Sequence, residues 1–255
     1  MIQFPTAAPA PLPDLWIGSA YRVRDEVERQ VLDALVHRVR AARAPGELHN
    51  VLTILTVWVL RTAAALRQCE VIGLMSVQID REVCWRGQRR PWITLGDGDT
   101  KPNWFTVAAR IVPLCPTLDW LLGIVMFADG PALRLWTEAG WAPLTAKSLK
   151  QALAELPVTV PRGHSGRQNL RSFLAEAGLE FDRTNAALGH QAQGREAWNI
   201  YRTAQPDQDW PTFVVLAEQY LESLGWSLTS FKESLDVEEY SHWRQSVRDP
   251  DSAHQ

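Results

Sequence analysis

Hydrophobic residues along this chain change their spacing from helical to alternating, and then back to helical. From 25 to 43 they recur every three or four positions, and Pro45-Gly46 ends the run, which predicts an amphipathic helix. Residues 48–66 are apolar on most faces. This second segment therefore predicts a helix that crosses the interior of a domain.

Three β-prone runs follow the second predicted helix. Val77, Ile79 and Val83 alternate with other residues, and further runs follow at 92–95 and 105–114. Glycine and proline separate these runs, so we expect three antiparallel strands. Helical spacing then returns, and the predicted helices are 117–128, 145–155, 165–177, 183–188, 195–203 and 211–224. The predicted fold class is α+β, a mainly helical domain with a small three-stranded antiparallel sheet.

The two ends of the chain differ from its middle. Residues 1–24 carry four prolines between positions 5 and 13 and predict a flexible leader. Residues 25–203 form the predicted domain, and 204–255 an acidic C-terminal helix and tail, poorly ordered from about Lys232. The net charge of −3 divides into +4 over 48–203 and −7 over 204–255. This asymmetry indicates a body that faces a polyanion and an acidic appendage.

Composition excludes several classes of protein. The three cysteines, Cys69, Cys84 and Cys115, form no CxxC pair, which argues against a disulfide framework and a zinc knuckle. The longest apolar runs fall short of the ~20 residues of a membrane span. The N-terminus lacks the basic region of a secretory signal. We therefore expect a cytoplasmic protein that has no metal, no cofactor and no membrane contact.

Phosphate loops, zinc-protease motifs and nucleophile elbows are absent from the sequence, so the candidate chemistry lies in four short motifs. In chain order these are Arg67 with Glu70, Lys101, His164-Ser-Gly-Arg167, and Leu-Gly-His190 followed by Tyr201. Singly, each has an ordinary structural interpretation: an arginine paired with Glu70, a solvated lysine in a turn, or a histidine at a helix end.

The order of the four motifs resembles the catalytic set of the tyrosine recombinase, or phage integrase, family, and the resemblance covers about residues 25–203. It implies site-specific recombination of double-stranded DNA through a covalent 3′-phosphotyrosyl intermediate. It also implies a homo-oligomer, a tetrameric synapse on DNA, associated with the nucleoid. The residues implied as catalytic are Arg67, Lys101, His164, Arg167, His190 and Tyr201, with Glu70 in a supporting place.

The chemistry of a phosphodiester is consistent with these roles. Two guanidinium groups, of Arg67 and Arg167, would stabilise the charge on the pentacovalent phosphorus. His164 would take the proton of Tyr201, and Lys101 would protonate the leaving 5′-oxygen. His190 would hydrogen-bond the phosphate. Because the tyrosyl ester retains the energy of the broken bond, rejoining would need neither metal nor ATP.

The sequence departs from the family pattern in several places. Residues 1–47 are too short for the usual helical core-binding domain, so we expect a separate DNA-clamping domain or partner protein, or a truncated gene product. Gly166 stands where an apolar residue is usual and would leave that packing contact unfilled. Lys147 and Lys150 compete with Lys101 for the role of the catalytic lysine.

The acidic C-terminal segment and the function each leave alternatives open. Residues 213–224 would pack either on a neighbouring protomer or on their own domain. The chain is either an active recombinase or a truncated or non-catalytic integrase-like module for DNA binding or assembly. A third alternative is an unrelated helical protein, in which Arg67, His164, Arg167 and Tyr201 lie far apart.

Overall fold

The elements follow the predicted α+β order. The structure, a computed structural model, describes residues 19–85, 87–96, 110–161, 165–180, 183–184, 188 and 206–248. Its helices are α1 (Ser19–Ala41), α2 (Pro45–Ala63), α3 (Gln68–Ile72), α4 (Pro116–Val125), α5 (Ala146–Ala154), α6 (Ser165–Glu176), α7 (Pro206–Ser223), α8 (Leu228–Glu233) and α9 (Val237–Arg248). Its strands are β1 (Ile79–Asp80), β2 (Cys84–Trp85), β3 (Gln88–Arg89), β4 (Trp92–Leu95), β5 (Arg110–Pro113), β6 (Arg134–Thr137) and β7 (Gly140–Pro143). No helix in these ranges is long and apolar enough to cross a membrane.

The central helix of the core is α2. Pro45 and Glu47 in its first turn suit a helix N-terminus, because proline lacks an amide hydrogen and a carboxylate complements the helix dipole. Every residue from 51 to 66 is buried, and α1, α4, α6 and α7 all contact α2. The Thr62 hydroxyl, buried in this helix, donates to the Trp58 carbonyl at 2.8 Å. The prediction that this segment crosses the interior is confirmed.

Strands β1, β4 and β5 form the predicted three-stranded antiparallel sheet, with β4 in the middle. Ile93 stands opposite Ile79 on one side and Val112 on the other. These residues are buried, whereas Thr94 and Ile111 are exposed. This alternation packs one face of the sheet against the core. The fold-class prediction is confirmed, and β2 with β3 adds a separate short hairpin.

A second hairpin, formed by β6 and β7, was not predicted. Asn50 of α2 fixes it: its side chain donates to the Trp136 carbonyl at 2.8 Å and accepts from the Trp136 amide at 2.7 Å. Gly46 allows this packing, because a Cβ at that position would collide with the Trp136 ring. The strands are only four residues long and half-buried, so their sequence has no clear alternation.

The C-terminal segment folds on its own domain and caps both ends of α4. At the start of α4, Glu218 of α7 accepts from the Thr117 amide at 3.1 Å and from its hydroxyl at 2.5 Å. At the other end, Arg244 of α9 donates to the carbonyls of residues 124–126, with a distance of 2.8 Å to Val125. These bonds satisfy backbone groups that a helix leaves unpaired at its ends.

Two expectations for the chain ends are corrected. Residues 232–248 were expected to be poorly ordered, yet α9 is helical, and its Tyr240 hydroxyl lies 2.5 Å from the Nδ1 of buried His49. Helix α9 has two glutamates and two arginines, so its charges balance, and its apolar residues pack against α2. Helix α1 also begins at Ser19, inside the predicted leader. Residues 1–18 and the predicted helix at 195–203 lie outside the described residues.

Candidate functional site

A left-handed turn follows α2 directly, just before Arg67. Ala65 has a φ of +53°, a left-handed conformation that glycine adopts far more readily than alanine. The Leu66 amide donates to the Leu60 carbonyl at 3.2 Å, which closes the helix end. Ala65 and Leu66 are both buried. Packing therefore holds the strained turn in place.

Arg67 caps the start of α3 and is bound by Glu70. Its backbone amide donates to Glu70 Oε2 at 2.7 Å, and its guanidinium Nη1 donates to Oε1 at 2.9 Å. The Arg67 side chain is 18% exposed, whereas the Glu70 side chain is fully buried. The ordinary ion pair considered from the sequence is therefore present. Within the described part of the chain, the other guanidinium N–H groups have no partner, so they are available to an anion.

Arg167, in the first turn of α6, connects the motifs. Its Nη1 donates to the Ala65 carbonyl at 3.0 Å, and its Nη2 donates to the Leu188 carbonyl. Ala65 lies two residues before Arg67, and Leu188 lies two residues before His190. The planar guanidinium suits this bridge because its N–H groups diverge in fixed directions. One side chain therefore contacts both the turn before Arg67 and Leu188, the first residue of the Leu-Gly-His sequence.

Gly166 forms a close helix contact, and the expectation of an unfilled packing site there is corrected. A Cβ at this position would lie 3.1 Å from both the Cα and the hydroxyl of Thr62, and 3.2 Å from the Arg61 carbonyl. The absence of a side chain lets α6 approach the backbone of α2. A larger residue would push the first turn of α6, which carries Arg167, away from α2.

Sequence reasoning missed two buried charged residues beside this turn. Glu28 of α1 is 0% exposed and accepts a hydrogen bond from the Ser165 hydroxyl at 2.5 Å. Arg61 of α2 is 6% exposed, and its guanidinium carbon lies 5.1 Å from the centre of the Trp58 ring. Both line a narrow cleft together with Ser165 and Arg167. One signal was present in the sequence, since position 28 falls on the apolar stripe of α1.

Burial shifts the pKa values of both charged groups. It raises the pKa of the Glu28 carboxyl, and the Ser165 hydroxyl and the Arg61 charge offset part of that rise. It lowers the pKa of Arg61, and the negative charge of Glu28 opposes that shift. A low dielectric disfavours the charged form of each residue. The charge of each group therefore offsets part of the effect of burial on the pKa of the other.

Four of the predicted site residues lie outside the described residues: Lys101, His164, His190 and Tyr201. Ser165, which follows His164, is described and donates to Glu28. Leu188, two residues before His190, is described and accepts from Arg167. Lys147 and Lys150, the competing lysines, are exposed on α5, and α5 contacts the α3 helix that Arg67 caps. The choice among the three lysines stays a prediction. Across the described ranges, no group of three or more His, Cys, Asp or Glu side chains could hold a metal ion.

Comparison of this chain with protein-family models, curated proteins and solved structures finds no match.

Proposed function

We propose that this chain cleaves and rejoins double-stranded DNA through a covalent bond between Tyr201 and a 3′-phosphate. The observation that carries the proposal is the pair of hydrogen bonds from Arg167 to the carbonyls of Ala65 and Leu188. These bonds tie the Arg67 turn to the segment that leads to His190 and Tyr201. The proximity of Ala65, Arg167 and Leu188 supports the proposal over an unrelated helical protein, in which the motifs would lie far apart.

In the proposed reaction, the Tyr201 oxygen attacks the phosphorus, and the bond to the 5′-oxygen of the next nucleotide breaks. His164 takes the phenolic proton, and Lys101 gives a proton to the departing 5′-oxygen. Arg67, Arg167 and His190 bind the non-bridging oxygens, where negative charge increases in the transition state. Rejoining is the reverse, with a 5′-hydroxyl attacking the phosphotyrosine. No step consumes ATP.

Two features of the described residues support an anionic substrate. The exposed part of the Arg67 guanidinium has N–H groups that Glu70 does not occupy. The neighbouring helix α5 presents Lys147 and Lys150 to solvent, and lysines placed this way bind phosphates of a duplex backbone. The proposed partner is double-stranded DNA, bound by several copies of the chain in the nucleoid.

One observation favours a second candidate, an integrase-like module that binds DNA without cutting it. Arg167 is only 8% exposed, and its two terminal nitrogens already donate to backbone carbonyls. A structural arginine has such contacts. In this second candidate the fold and the basic surface remain, and the chain serves in assembly on DNA.

The deciding experiment incubates the full chain with nicked duplexes from the flanks of its own gene, which trap a covalent intermediate. Wild-type protein should give a shifted band on a denaturing gel, and Tyr201→Phe should not. Tyr21→Phe is the matched control, because it removes the same hydroxyl from another tyrosine of the chain, and it should keep the band. An adduct that survives Tyr201→Phe overturns the assignment.

A salt series separates the two candidates. If wild-type protein forms no adduct but its DNA affinity falls steeply with salt, phosphate contacts are present and the non-catalytic module is favoured. A flat salt dependence together with the absence of an adduct contradicts both candidates.

A further inference from the structure

Three successive residues fix the first turn of α6. The Ser165 hydroxyl donates to Glu28 of α1 at 2.5 Å. Gly166 lies against the backbone of α2. Arg167 donates to the carbonyls that flank the other motifs. The direction of the Arg167 side chain therefore depends on contacts from elements far apart in the sequence, and Glu28 supplies the first of them.

Glu28 is an unfavourable residue for its position if only stability is considered. It lies on the buried stripe of α1 with Val31, Leu32 and Leu35, and it is itself completely buried. Its Oε2 has no hydrogen-bond partner among the described residues. A buried carboxyl with an unsatisfied oxygen is destabilising, and an apolar side chain would fill the site better. Unlike an apolar side chain, the carboxyl can accept the Ser165 hydroxyl at the N-terminus of α6.

Arg61 compensates the charge of Glu28 without replacing Ser165 as its partner. Both groups line the cleft beside α6, and each charge favours the ionised form of the other. The Nε of Arg61 is buried without a partner among the described residues. The pair therefore places a carboxyl acceptor for Ser165 in the same cleft as a guanidinium, at the point where α1, α2 and α6 meet.

We infer that Glu28 is a positioning residue for Arg167: by holding Ser165 it sets the first turn of α6, and so the place from which Arg167 reaches the scissile phosphate. The inference rests on the proposed function, in which Arg167 stabilises the transition state. Glu28 itself touches no substrate atom in this role.

The test compares five variants of the full chain, four single variants and the double variant Glu28→Leu/Ser165→Ala. Glu28→Leu removes the acceptor, Ser165→Ala removes the donor, and Glu28→Gln keeps an oxygen that can accept the hydroxyl. Glu155→Gln is the matched control, because Glu155 also joins another element to α1, through Arg38 at 3.2 Å, but on the surface. The readouts are the single-turnover cleavage rate at saturating DNA, the DNA Kd, and amide hydrogen exchange over residues 165–176.

Glu28→Leu and Ser165→Ala should each slow cleavage about tenfold or more while the DNA Kd changes by less than about twofold, since the contact acts on the transition state. The double variant should be no slower than the slower single variant, because both remove one interaction. Glu28→Gln should recover most of the rate. Glu155→Gln should cleave as the wild type does.

The inference is overturned if Glu28→Leu folds and cleaves at the wild-type rate. It is also overturned if the double variant is slowed by the product of the two single-variant effects. If Glu28→Leu does not fold, Ser165→Ala alone decides by the same comparison of rate and Kd. If even the wild type forms no adduct, the proposed function fails, and hydrogen exchange tests the positioning separately. Faster exchange of α6 amides in Ser165→Ala than in Glu155→Gln then supports it, and equal exchange contradicts it.

Discussion

The Nη1 of Arg167 donates a hydrogen bond of 3.0 Å to the carbonyl oxygen of Ala65, 102 residues earlier in the chain. Ala65 is in a left-handed turn whose carbonyl no longer continues the helix. The guanidinium thus satisfies a buried acceptor and at the same time places its positive charge beside the turn that leads to Arg67. This one hydrogen bond therefore stabilises the fold and also positions Arg167 for the proposed reaction.

Replacing Arg167 with lysine should therefore lower both the stability of the protein and its cleavage rate. Lysine keeps the charge but cannot donate to two diverging carbonyls from one rigid group. Arg167→Lys should lower the free energy of unfolding by about 1–3 kcal/mol, because a buried carbonyl loses its partner. It should slow cleavage by about 100-fold or more. Urea denaturation and the suicide-substrate assay measure the two effects.

The matched control is Arg171→Lys, one turn later on α6 and half-buried. It should change the unfolding free energy by less than about 0.5 kcal/mol and leave cleavage unchanged. If both variants lose the same stability and the same cleavage rate, Arg167 has no role that Arg171 lacks, and the prediction is contradicted.

The turn at Ala65 gives a prediction about the backbone alone. A left-handed conformation costs an L-residue about 1–2 kcal/mol, and relief of this cost should offset the lost methyl group and the added unfolded-state freedom in Ala65→Gly. We expect its unfolding free energy to stay within about 0.5 kcal/mol of wild type. Chemical denaturation is the measurement.

Ala63→Gly is the control for this variant, because Ala63 is equally buried but is the last residue of α2 and does not have a positive φ. It should cost about 2 kcal/mol, the sum of helix propensity and lost burial. A similar loss in Ala65→Gly would show that no strain is stored at the turn.

The sequence predicts the elements better than the contacts between them. Periodicity places α1, α2 and the three-stranded sheet, because burial of one face dictates their spacing. It cannot indicate the left-handed turn, since Ala65 is a good helix former, nor the contact between Arg167 and Ala65, which depends on tertiary packing. Glu28 was readable as a charge on an apolar stripe, but its partner Ser165 was not.

A side chain at Gly166 should destabilise the protein. In Gly166→Ala the gain in helix propensity is at most about 1 kcal/mol, whereas overpacking against a fixed backbone costs about 1–3 kcal/mol. The atoms met are the Cα and hydroxyl of buried Thr62, which the core holds in place. The variant should therefore be less stable by about 1 kcal/mol. Its cleavage rate should also fall, because Arg167 is displaced.

Gly123→Ala is the control, and its change in stability should have the opposite sign. A Cβ there would lie 2.7 Å from the Nη2 of Arg81, the end of a long side chain. This end can shift by rotation about the Nε, which donates to Asp119 at 2.7 Å. This exposed position in α4 should become more stable by up to about 1 kcal/mol. Thermal unfolding of the two variants side by side distinguishes a tight interface at Gly166 from a general effect of glycine replacement.

The three cysteines should differ sharply in reactivity. Cys69 and Cys84 are exposed and Cys115 is buried, and burial raises the pKa of the Cys115 thiol well above its ordinary value. Because the thiolate is the reactive form, a thiol reagent at neutral pH should label Cys69 and Cys84 in the native protein. Cys115 should react only on unfolding. Peptide mapping by mass spectrometry identifies the labelled sites, and rapid native labelling of Cys115 would contradict the packing of α4.

Stability should depend on pH through Glu28. Burial raises the pKa of the folded-state carboxyl, so the folded protein binds its proton more tightly than the unfolded chain does. The Glu28 contribution to the unfolding free energy is then greatest at acid pH, and it decreases as the pH rises from the ordinary carboxyl range through the raised pKa. Arg61 from α2, Ser165 from α6 and Asp25 from the same helix act on this group.

The measurement is urea denaturation of wild type and Glu28→Gln over a pH series. The stability of the wild type relative to Glu28→Gln should fall with increasing pH, because the variant has no proton to lose at this site. Burial also raises the pKa of Asp25, so the double variant Asp25→Asn/Glu28→Gln should remove a larger part of the pH dependence. A wild-type advantage that grows with pH would mean that Arg61 and Ser165 outweigh burial, with the Glu28 carboxylate more stable inside the protein than in water.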